Sequence, residues 1–162
     1  MHILFLCTGN SCRSVLSEGV FNHLAPQGLH AMSAGSQPTG WLHPRAVALL
    51  HDKGIPTEGY SSKSWDALPR VPDIVVTVCS SAAGETCPAY LGPLLRTHWG
   101  LEDPSHVSGT EDEIDAAFER TYAIIVARIQ AFLALPLDEL KNDRNRFKAE
   151  LDRIGTLLPT QG

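Results

Sequence analysis

Ile3-Leu4-Phe5-Leu6-Cys7-Thr8-Gly9-Asn10-Ser11-Cys12-Arg13-Ser14 stands two residues from the start of the chain and divides into three parts. The four apolar residues run without alternation, which suits a strand buried on both faces. The next stretch is small or polar, and Gly9 and Asn10 accept backbone conformations that other residues resist. From Val15 the apolar residues Val15, Leu16, Val20, Phe21 and Leu24 recur at helical spacing. The unit is a strand, a tight loop and a helix. Loop and helix-start N–H groups without internal partners form an anion cradle. Thr8, Gly9, Asn10, Ser11, Cys12 and Arg13 are its expected oxyanion-binding residues. Cys7 and Arg13 stand at opposite ends with five residues between them. The guanidinium fork matches a tetrahedral oxyanion. The same positive surroundings are expected to lower the pKa of Cys7 and yield a thiolate, to which Ser14 can donate a hydrogen bond. The bland alternative is a buried cysteine before an ordinary βα turn. A nucleotide-type phosphate loop is excluded, because Gly-Lys-Ser/Thr is missing and a nucleophile is present.

Composition sets the outer bounds. The chain has 162 residues, 43% hydrophobic and 19% charged, enough for one domain with a real core. We expect residues 1–158 to form that domain and residues 159–162 a loose tail. A net charge of −5 without a basic run speaks against nucleic-acid binding. No apolar stretch is long enough to span a bilayer, and no signal peptide is evident, so a cytoplasmic location without membrane attachment is expected. The four cysteines, Cys7, Cys12, Cys79 and Cys87, lack the close spacing of a zinc knuckle, and no metal site is expected. Stable disulfides are rare in the cytosol, so catalytic or redox use fits them better.

Further along, His30 to Ala34 reads as a second strand. Pro44 suits the first turn of a helix that Gly54 stops. His43 and Arg45 read as solvated turn and helix surface. Glu58 to Leu68 reads as an extended piece and then a helical turn. Asp73 to Val78 is a second buried, β-branched strand, and it too delivers a cysteine, Cys79, at its carboxyl end. Ligand sites in open α/β sheets lie beyond those ends, so Cys7 and Cys79 can face one cleft. By residues alone, a core cysteine beside a surface thiol is nearly as good an account of Cys79 and Cys87 as a redox pair. Thr97 to Trp99 can supply a fourth strand, and Glu102 and Asp103 follow in a loop fixed by Pro104. Thr110 and Glu113 make a capping-box signature for a long helix that Pro136 ends. One last helix is expected from Asp138 to about Leu151.

Cys7 to Arg13, Cys79 with Cys87, and Glu102-Asp103-Pro104 together resemble the thioredoxin-coupled arsenate reductases, which share the fold of the low-molecular-weight protein tyrosine phosphatases. The resemblance runs from Ile3 to the final helices. It implies an α/β three-layer sandwich with a central four-stranded parallel sheet flanked by helices. It also implies an enzyme that reduces arsenate to arsenite. Cys7 would form a covalent arsenate adduct, Arg13 would clamp its oxygens, Ser14 would help stabilise the thiolate, and Asp103 would protonate the departing oxygen. Cys79 and then Cys87 would carry the oxidation away as disulfides, with rearrangement of residues 80–86. No tightly bound cofactor is implied. An external thiol would restore the enzyme: thioredoxin by resemblance, with glutaredoxin or a small thiol as alternatives. The spacing of Cys79 and Cys87 is one residue longer than the best-known family pattern. A potassium site of some members is matched at Asn10, Glu18 and Ser33, while its aspartate position falls in residues 61–64, which hold no acid. Cys12 has a family counterpart without a required role. The alternatives are a low-molecular-weight tyrosine phosphatase, against which Ser105 and His106 stand where an aromatic pair would follow, and a non-enzymatic oxyanion-binding or regulatory protein.

Overall fold

The computed structural model describes residues 1–68, 70–79 and 95–158. Its centre is a single sheet of four parallel strands: β1 (His2–Leu6), β2 (His30–Ala34), β3 (Ile74–Thr77) and β4 (Leu95–His98), in the order β2-β1-β3-β4. The central pair, β1 and β3, is buried almost without remainder. This is why their sequences run apolar rather than alternating. The register sets Leu6 beside Ala34 on one side and Thr77 on the other, so the carboxyl ends of three strands finish level with one another.

Helices flank the sheet in the expected three-layer sandwich. Helix α1 (Arg13–Leu24) buries every residue from Ser14 to Phe21, so this stretch is apolar or small on all sides except at Glu18. Helix α2 (Pro44–Asp52) approaches it closely at Gly19, where a Cβ would stand 3.1 Å from both Leu50 δ-carbons. Helix α3 (Glu111–Leu133) starts at Thr110, whose hydroxyl accepts a hydrogen bond from the Glu113 N–H, as the capping box predicts. Phe5, Phe21, Trp99, Phe132 and Phe147 join sheet and helices in a chain of edge, tilted and stacked contacts.

Two expectations change. The single last helix is two: α4 (Leu137–Leu140) and α5 (Arg144–Ile154). The Asp143 carboxylate accepts from the Arg146 N–H and starts a new helix, a stronger local signal than continued periodicity. The fourth strand begins at Leu95 and ends at His98, earlier than Thr97 to Trp99. Trp99 instead ties its N–H to Thr77 O at 2.8 Å and turns away into the loop that carries Asp103. The short turn at Trp65–Ala67 and its bridge from Ser64 to Gly35 follow the expected extended-then-helical pattern.

Candidate active site

The loop after β1 is held by its carbonyls. Thr8 O accepts from Gln37 N, Gly9 O from Thr39 N and Ser11 O from His43 N, at 2.9–3.0 Å. A trans peptide points its N–H opposite its C=O, so the N–H groups of Gly9, Asn10 and Cys12 face away from these partners, and that of Gly9 acts on Cys7. Asn10 has φ +45°, the left-handed region that Asn tolerates. Its buried side chain fixes the turn, accepting from Lys63 N at 2.8 Å and donating to Ser14 Oγ at 2.9 Å. Helix α1 then begins with no side-chain cap at Cys12, so its first N–H groups are open to a ligand. Gly35 makes the packing possible. A Cβ there would lie 2.3 Å from Thr8 O and 2.5 Å from Cys7 O.

Cys7 and Cys79 lie close enough for their side chains to interact. Both are buried. Cys79 Sγ accepts at 3.4 Å from the Thr8 N–H, the peptide joined to Cys7. Here the expected lowering of the Cys7 pKa is corrected: it is raised. The Cys79 side chain raises it most, and burial adds to this. The Arg13 charge and the Gly9 N–H pull it down without prevailing. Burial and the Asp103 charge push Cys12 up to about 12. Ser14 Oγ accepts from Asn10 and so braces the turn, while its own hydroxyl proton is left to donate. Cys87 and residues 80–86 lie outside the described residues, and so does the expected rearrangement there.

Arg13 and Asp103 meet across the cleft. One guanidinium nitrogen donates to Leu101 O at 3.0 Å, the other to Asp103 Oδ2 at 3.3 Å. The second Asp103 oxygen accepts from the Ser105 N–H and hydroxyl at 2.9 and 2.6 Å. Burial pushes the Asp103 pKa up, but Ser105, Arg13 and His106 outweigh it, and the net shift is downward. In this arrangement Asp103 is a carboxylate.

Other residues here were missed or undervalued by sequence reasoning. His43 is not merely a solvated turn. Its Nδ1 accepts from Arg45 N and caps α2, and its ring lies between Trp41 and Phe118, with centroids 5.8 and 5.6 Å away. A His directly before Pro at a helix start was the available signal. Trp41 is 51% exposed at this rim. Arg45 is paired with Glu111 and Asp115, tying α2 to α3. Behind the cradle, buried Glu18 accepts from Ser33 Oγ at 2.6 Å, and burial raises its pKa against the Ser33 bond and the Lys63 charge. Among the described residues no cluster of three or more His, Cys, Asp or Glu side chains could hold a metal ion.

The chain is similar to known proteins over most of its length. It is 39% identical over 132 residues to the arsenate reductase of Shouchella clausii, covering 80% of this chain and 93% of that one. The arsenate reductase of Archaeoglobus fulgidus has a solved structure that superposes with a TM-score of 0.68 at 25% identity, covering 82% of this chain and 99% of that one. A thioredoxin-dependent arsenate reductase of Corynebacterium glutamicum superposes with a TM-score of 0.54 at 27% identity, over 74% of this chain and 57% of that one. Residues 2–146 match the family model of the low molecular weight phosphotyrosine protein phosphatases. By fold, cradle and sequence alike, this chain belongs to that family.

Proposed function

We propose that this protein reduces arsenate to arsenite through a thiol relay that starts at Cys7. The observation that carries this is the second buried thiol, Cys79, whose sulfur accepts from the Thr8 N–H next to Cys7 and whose side chain raises the Cys7 pKa most. A hydrolase needs one sulfur at this place; a reductase needs two. The arsenate reductases among the relatives support the same reading.

The N–H groups of the cradle, from Thr8 to Arg13, and the Arg13 guanidinium bind the oxyanion. Arg13 then exchanges Asp103 for arsenate oxygens. Cys7 attacks arsenic, and its thiol proton leaves with the arsenate hydroxyl as water, delivered by the carboxyl of Asp103. Being a carboxylate beforehand suits Asp103 to accept a proton and pass it on. Cys79 attacks the Cys7 sulfur. A Cys7–Cys79 disulfide forms, the sulfur–arsenic bond breaks, and its electron pair stays on arsenic, which leaves as arsenite with the Cys79 proton. Cys87 displaces Cys7 from Cys79, and an external dithiol reduces the Cys79–Cys87 disulfide. Thioredoxin is the proposed donor, with glutaredoxin or a small thiol as alternatives. A reducing, cytoplasmic setting is proposed because the relay needs free thiols. No helix among the described residues is long and apolar enough to cross a membrane.

Hydrolysis of an aryl phosphate is the second reading. The exposed Trp41 ring stacked on His43 favours it, since the loop that bears them is bonded to the cradle. A coupled assay separates the two: arsenate against aryl phosphate, with thioredoxin and glutaredoxin systems in parallel. Cys87→Ser should form the first covalent adduct yet fail to turn over repeatedly. Sustained arsenate reduction by Cys87→Ser with thioredoxin sinks the relay, and efficient aryl phosphate hydrolysis without arsenate reduction reverses the ranking.

A further inference from the structure

Arg128, on α3, is 5% exposed, a cation taken almost wholly out of water. Among the described residues no carboxylate pairs with it. Its donors go to two backbone carbonyls: Nε to Leu157 O at 3.1 Å and one terminal nitrogen to Gly100 O at 3.0 Å. Gly100 begins the loop whose next carbonyl, Leu101 O, and whose carboxylate, Asp103, both receive Arg13. Two arginines therefore hold this short loop, Arg13 from the cleft and Arg128 from behind.

The rear support continues into the C-terminal segment. Trp99 Nε1 donates to Leu151 O at 2.9 Å, and the Thr97 hydroxyl donates to the Asp152 carboxylate at 2.7 Å. Gly155 lies so close to the exit of β4 that a Cβ would stand 2.5 Å from His98 O and 3.0 Å from the Trp99 ring. Leu151, Asp152, Gly155 and Leu157 all follow residue 146, where the family match ends. A buried, unpaired cation is costly to keep. Keeping it in a bridge between this segment and the acid-bearing loop gives it a task.

We propose that Arg128 is a positioning residue for Asp103, and that the segment from α5 to Leu157 is the support against which it sets the loop. The inference rests on the proposed proton-transfer role of Asp103 for its catalytic meaning, but its geometry can be tested separately. With Arg128 in place the loop is pinned where Asp103 meets Arg13. Without it the loop recedes and that pairing weakens. Asp103 is also faced by Cys12 beside α1, by His43 before α2 and by His106 in its own turn, none of which the substitution alters.

The test is the titration of the Asp103 carboxyl by carbon NMR in the full-length protein, with the signal assigned by its loss in Asp103→Asn. In Arg128→Gln, which cannot span both carbonyls, the Asp103 midpoint should rise as the Arg13 pairing weakens, the Ser105 bonds of its own turn being kept. Gly155→Ala, which presses on His98 O from the same side, should move it in the same direction. Thermal melting establishes that each variant is folded. An unchanged Asp103 midpoint in folded Arg128→Gln overturns the proposal; should that variant not fold, the Gly155→Ala midpoint decides in the same way. Turnover by Asp103→Asn is measured alongside. Full activity there removes the proton-transfer role while leaving the positioning claim to the titration.

Discussion

Replacing Gly35 by Ala is the sharpest test of the cradle. Gly35 follows β2 and is stitched on its other side to the serine-rich segment, donating to Lys63 O at 2.9 Å and accepting from Trp65 N at 3.0 Å. It cannot retreat without breaking that pair. A new Cβ would stand 2.3 Å from Thr8 O and 2.5 Å from Cys7 O, both backbone atoms. An ordinary carbon–oxygen contact is about 3.3 Å. The cradle must therefore give way by roughly 1 Å, at the residue that carries the nucleophile and at the peptide that supplies the Gly9 N–H. A displacement of that size costs about 10²-fold in rate. Overpacking of this kind costs about 1–3 kcal/mol of stability, which leaves a folded protein. Single-turnover formation of the Cys7 adduct, beside calorimetric binding of phosphate, reads both consequences. Gly35→Ala with parental adduct formation and parental phosphate affinity would refute the account of how the loop is shaped.

The remaining predictions concern charge and caps. Cys79→Ala removes the largest influence that raises Cys7, so the midpoint of Cys7 alkylation with pH should fall; a midpoint that stays or rises contradicts that influence. Asp103 is depressed in the fold, so it stabilises above the unfolded value of about 4 and loses that contribution as pH falls through its folded value. Asp103→Asn should accordingly be less stable at neutral pH and show a flatter acid limb in melting experiments. Cys12 is the opposite case: raised to about 12, it favours the folded state below its unfolded value and loses this as pH climbs toward 12. Cys12→Ala should flatten the alkaline limb. Thr110→Ala removes the cap of α3 and should cost about 1 kcal/mol by denaturant titration.

The sheet was legible because burial on both faces writes itself into β1 and β3 as unbroken apolar runs. The start of α3 was legible because Thr110 and Glu113 make their bond within one helical turn. What escaped depends on partners distant in sequence. Arg13 by itself argues for a lowered Cys7; only the fold brings up Cys79, 72 positions on, and reverses the sign. That Asn10 donates to Ser14 and braces the turn was likewise not written in the local pattern. The ring of Phe118 that encloses His43 belongs to α3, which no local pattern around Pro44 announces. The split between α4 and α5 was within reach, since Asp143 is a good cap, but periodicity was weighted above it.

The order β2-β1-β3-β4 leaves no strand between the two that end in cysteines. Register continued past Leu6 and Thr77 puts Cys7 level with Val78 and Cys79 one step further. With strands about 4.8 Å apart and a rise of about 3.3 Å per residue, their Cα atoms are roughly 5.8 Å apart. That lies inside the span a disulfide needs. A pleat that ran on regularly would turn Cys79 away from Cys7, so the two side chains interact because the chain leaves the pleat just beyond both strands. The first hand-off of oxidation from sulfur to sulfur depends on that turn as well as on sheet spacing. A nucleophile loop of this architecture is one substitution, at the residue two beyond β3, away from having an electron donor within reach.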